Sequence, residues 1–99
     1  MIQSTALRLS AVRAFLGRVH PEMRLIKISM KENEIIVTVV LNCKPSERVR
    51  DDISEATTEI VVDFPWGTMI AEQLEISTAP LPNENILECG WIFQRAEYQ

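Results

Sequence analysis

The chain has one histidine, His20, among its 99 residues, and only three glycines and two cysteines. Each scarcity removes a class of chemistry. A cysteine or serine nucleophile normally needs a nearby base, most often histidine. Nothing in the sequence ties His20 to Cys43 or Cys89, and no GxSxG stretch occurs. Gly17, Gly67 and Gly90 are isolated, so no glycine-rich loop is present to cradle a phosphate. Two cysteines and one histidine without ligand spacing do not make a zinc site, and no EF-hand spacing appears. We therefore expect no catalytic residues, no cofactor and no metal.

Long apolar runs are also missing. Arg8, Arg13 and Arg18 interrupt the first 19 residues, which leaves no signal-peptide core and no membrane helix. The expectation is a cytoplasmic protein without a membrane partner. In that compartment Cys43 and Cys89 should be reduced thiols packed as small apolar groups.

What is present is an ordinary globular composition, 46% hydrophobic and 24% charged. The length suits a single domain over residues 1–99 with one modest core. The net charge of −4 is unevenly spread. Residues 1–31 sum to +5 and the remainder to −9. The acidic part would repel phosphates, so no nucleic-acid partner is expected. A basic protein partner fits it, as does simple solubility.

Periodicity gives six elements. Residues 3–18 read as an amphipathic helix, with Ile2, Leu9, Val12, Leu16 and Val19 as its apolar seam and Pro21 as its stop. Residues 23–30 alternate as a strand, "KENE" is a polar turn, and the β-branched run 35–41 completes a hairpin. Pro45 suits the first turn of a second helix over about 46–64. Its seam is Val49, Ile53, Ala56, Ile60 and Phe64, and Pro65 and Gly67 end it. Strands follow at 69–77 and 86–94, with a loop between them. The order αββαββ predicts an α+β two-layer sandwich. Its four-stranded antiparallel sheet would carry both helices on one face and leave the other partly wet.

Three features bear on function. Asp52, Glu55, Glu59 and Asp63 recur at three- and four-residue spacing on one flank of the second helix. Like charges so placed repel, so a basic partner would relieve a cost that a solvated face merely tolerates. Trp66 stands in a Pro–Trp–Gly turn, either exposed as an anchor or folded over the sheet edge. Glu72 shares a strand phase with Ile70, Leu74 and Ile76; alternation turns it toward the core unless a bulge or an edge position keeps it wet. Asp51 and Asp52 are adjacent and so do not face each other on a helix. In the last strand both phases are apolar, which raises the question of a homodimer.

The stretches "SEATTEIVVDFP", "IAEQLEIS", "PLPNENIL" and "GWIFQRAEY", within residues 54–98, resemble small immunity proteins of bacterial toxin–immunity systems, including contact-dependent growth inhibition. The resemblance implies a non-enzymatic cytoplasmic protein that binds a cognate toxin domain, often a nuclease, and blocks it. The partner-binding residues would then be Asp52, Glu55, Glu59, Asp63 and Trp66. The alternative is a small acidic secretion-type chaperone or another protein-interaction module. A small enzyme is the third class.

Overall fold

A computed structural model describes residues 4–80 and 91–94. The chain forms α1 (Ser4–Phe15), β1 (Met23–Lys31), β2 (Glu34–Leu41), α2 (Glu47–Val62), β3 (Met69–Ile76) and β4 (Trp91–Gln94). The six elements come in the predicted order. Residues 86–90 of the predicted last strand lie outside the described residues.

The sheet is mixed, not antiparallel. Its order is β3-β2-β1-β4; β1 pairs antiparallel with β2 and β4, and β2 pairs parallel with β3. The reason is the length of α2. Eight residues of β2 advance the chain about 26 Å. The 16 residues of α2 carry it back about 24 Å. The chain therefore starts β3 level with the start of β2, with Glu34 opposite Met69 and Leu41 opposite Ile76. The last two strands form no hairpin, because β3 and β4 occupy opposite edges.

One face of the sheet carries Ile26, Ile28, Ile35, Val37, Val39 and Leu41 into the core. Both helices supply the other side of that core, α1 through Leu7, Ala11, Ala14 and Phe15, and α2 through Val49, Ile53, Ala56 and Ile60. Phe64 packs against it, as the α2 seam predicts. The second sheet face buries Leu25, Thr38 and Val40 but exposes Ser29, Lys31, Gln73 and Glu75.

Helix α1 is rotated from its expected seating. Leu9, Val12, Leu16 and Val19 were the predicted seam, and all four are exposed; Ile2 lies outside the described residues. The buried stripe is Leu7, Ser10, Ala11, Ala14 and Phe15. The helix also ends earlier, at Phe15. Gly17 takes φ 78, and the Arg18 amide donates to the Phe15 carbonyl, a left-handed stop of the kind glycine favours. A Cβ there would meet nothing within 4 Å, so the penalty of a side chain is purely backbone strain. Gly17→Ala should lower the urea-unfolding free energy by about 1 kcal/mol. An unchanged midpoint would show that φ is not held left-handed.

Helix α2 opens on Ser46, whose hydroxyl accepts from the Val49 amide. Pro45 precedes this cap instead of occupying the first turn. The hairpin turn sets Glu32 at φ 57. The neighbouring Asn33 fastens that turn to the connection between α2 and β3. Its side-chain amide donates to the Gly67 carbonyl at 2.8 Å, and its carbonyl accepts from the Met69 amide at 3.0 Å.

Arg24 sits where the β1–β2 register shifts between Met23 and Leu25. It is 3% exposed. Nη1 donates to the Ser77 carbonyl (2.6 Å) and Nη2 to the Ala79 carbonyl (2.8 Å), which holds the chain leaving β3. Its charge alone would have placed it on the surface.

Candidate functional site

Asp52, Glu55 and Glu59 of α2, with Asp63 at its C-cap, line the seam between the two helices. Ser10 Oγ donates to Asp63 at 2.6 Å. Arg18 lies between Glu59, which it contacts closely, and Glu55, at 3.5 Å. Arg18 also donates to the Ala14 carbonyl. His20 Nε2 stands 2.5 Å from Asp52 Oδ2 and donates to it. Residues ascending along α1 and its exit thus meet residues descending along α2, so the helices run antiparallel.

Sequence spacing placed the carboxylates on one flank, and they are there. It did not identify Ser10, Arg18 and His20 as their partners. These lie 32 to 53 residues away in sequence, and local periodicity does not reach that far. The repulsion within the stripe is therefore offset inside the fold. The offset is partial, because one guanidinium serves two carboxylates. The side chains of Glu55 and Glu59 remain 63% and 53% exposed, so these ion pairs are worth only a few tenths of a kcal/mol each.

Trp66 is fully exposed. It does not fold back over the sheet edge. Its turn is nevertheless fixed on both sides. Thr68 donates to the Pro65 carbonyl through its amide and its hydroxyl, and Asn33 holds the Gly67 carbonyl. Val62, one helical turn earlier, and Met69, at the start of β3, are exposed as well. The Ser10–Asp63 bond sets this end of α2 beside the middle of α1.

Glu72 faces the helices, as alternation requires, but β3 is an edge strand and the residue is exposed. Its carboxylate accepts from Thr57 Oγ1 at 2.7 Å, a structural contact between β3 and α2. The inward charge also makes the edge a poor template for another strand. Cys43 is a free, exposed thiol and does not pack as a core residue; Cys89 lies outside the described residues. Among the described residues no three His, Cys, Asp or Glu side chains gather to hold a metal ion, and no helix is long and apolar enough to cross a membrane.

The described site thus offers carboxylates, a tryptophan and exposed aliphatic side chains, groups suited to contacting another protein. No curated protein matches the chain. A family model described as MafI2 immunity protein matches residues 4–97, nearly the whole sequence and more than the stretch that carried the resemblance. The chain belongs to the MafI2 immunity protein family, and its role is to neutralise a toxin.

Proposed function

We propose that the chain acts as a single domain in the bacterial cytoplasm and neutralises its toxin by covering a basic groove, as a nuclease would present, with the outer edge of the α1–α2 seam. Glu55, Glu59 and Trp66 make the contact. Asp52 and Asp63 hold α1 in place and add to the negative field. The observation that carries this reading is the excess of carboxylate over cation in the seam, half-exposed and next to a fully exposed tryptophan on a pinned turn. Rim carboxylates speed encounter with a basic partner, and a rigid aromatic anchor slows its departure.

Glu55→Lys/Glu59→Lys should reduce the association rate with the cognate toxin about tenfold, with most of the difference lost in high salt. The same change sets two lysines against Arg18, so a second variant adds Arg18→Glu and rebuilds the seam with signs exchanged. Continued slow association in the triple variant places the carboxylates at the interface. Full recovery would mean that the double variant acted through the seam, and it would sink this docking face.

A further inference from the structure

The hairpin turn between β1 and β2 holds a side chain that the fold does not use. Lys31 pairs with Glu34, which leaves Glu32 and Asn33 as a two-residue loop. Among the described residues Glu32 is the one residue other than glycine at positive φ, with φ 57. A two-residue hairpin loop with its first residue alone at positive φ normally places glycine there, because a Cβ crowds the following carbonyl. Glu32 is exposed, and its carboxylate has no hydrogen bond or ion pair among the described residues. The glutamate thus costs backbone strain and makes no contact within the fold. A residue held in this way points to a use outside it.

The turn lies beside the exposed tryptophan. Asn33 donates to the Gly67 carbonyl at 2.8 Å and accepts from the Met69 amide at 3.0 Å. Glu32 and Trp66 are therefore the chain neighbours of two residues in direct hydrogen-bond contact. Glu55 and Glu59 approach Trp66 along the helix layer, and Glu32 approaches it from the end of the sheet layer. We propose that Glu32 belongs to the toxin-binding surface and sets its specificity from the sheet side of Trp66. This rests on the docking face proposed above and extends it. The seam alone leaves Trp66 at the margin of the contact. The hairpin turn makes it central, with carboxylates on both flanks. Dominant anchors sit near the centre of an interface, ringed by groups that exclude water. The feature Glu32 selects is a lysine or arginine of the toxin, beyond the pocket that takes the indole and away from the contacts to Glu55 and Glu59.

Two variants of the full chain, measured against the cognate toxin domain, test this. Glu32→Gln keeps the side chain and the backbone conformation and removes only the charge. It should slow association about fivefold, less so as salt rises, without moving the melting temperature. Glu32→Gly should slow association equally and raise the melting temperature by about 4 °C, because relief at positive φ outweighs the added freedom of the unfolded chain. Stability gained as binding is lost marks a side chain kept for the partner. Glu47→Gln makes the same charge change on an exposed residue at the other end of α2 and should leave the rate within about twofold. Association at the parent rate in both Glu32 variants would overturn the proposal, as would a loss no larger than that of Glu47→Gln. A fall in the melting temperature of Glu32→Gly would also overturn it, by showing that the turn carries no strain. The docking face is judged separately, by Trp66→Ala and the Glu55 and Glu59 changes. If those weaken binding and the Glu32 variants do not, only the role of Glu32 falls.

Discussion

Trp66→Ala should weaken the complex with the cognate toxin about 30-fold or more and leave the protein's own stability unchanged. The indole makes no use of the fold, being fully exposed, so its removal opens no cavity. Its backbone is held by the Thr68 and Asn33 hydrogen bonds, so little order would be lost on binding. The effect should appear in the dissociation rate, because an anchor leaving a desolvated pocket sets residence time, whereas rim charges set encounter. Surface plasmon resonance on the toxin domain separates the two. Trp66→Phe should recover part of the loss. An unaltered dissociation rate for Trp66→Ala would remove this residue from the interface.

The largest effect on stability is expected at Arg24. Arg24→Met keeps the stem but takes a charged donor away from two carbonyls, those of half-buried Ser77 and exposed Ala79. A loss of about 2 kcal/mol follows, which for a chain of this length lowers the melting temperature by roughly 8–16 °C. Arg24→Lys should fall between, because a single ammonium does not reproduce the fork that reaches both carbonyls. Calorimetry reads the midpoint, and hydrogen exchange near Ser77 should show local opening ahead of global unfolding. A melting temperature within a few degrees of the parent would mean that Ser77 and Ala79 take solvent in place of the guanidinium.

The two predictions concern residues of unequal legibility. Trp66 was legible, since a tryptophan between proline and glycine has few places to go but a turn. Arg24 was not. It looked like one charge in a strand whose alternation pointed to Ile26, Ile28 and Met30. Only the register shift beside it and the return of the chain after β3 place carbonyls within its reach.

The family match favours toxin neutralisation over a secretion chaperone. The basic first helix, awkward for an acidic inhibitor, has an internal use in Arg18, which neutralises part of the α2 stripe. That pairing offsets part of the repulsion within the stripe.

By itself the sequence determined the six elements and their order, because each rests on local periods of two or 3.6 residues and on the nearby prolines. It also determined the core face of α2, where Val49, Ile53, Ala56 and Ile60 form the helix's only continuous apolar seam. Tertiary structure decided the rest. The parallel pairing of β2 and β3 depends on where a crossover of α2's length returns the chain, not on the composition of either strand. The seating of α1 was a contest between two apolar stripes. The face with Leu9 and Val12 lost to the face with Leu7, Ala11, Ala14 and Phe15. The small alanines let α1 lie close against its neighbours, and the same rotation brings Ser10 to Asp63 and Arg18 to Glu55 and Glu59. Hydrophobicity along one helix cannot rank two such faces, because the difference lies in contacts that another helix supplies.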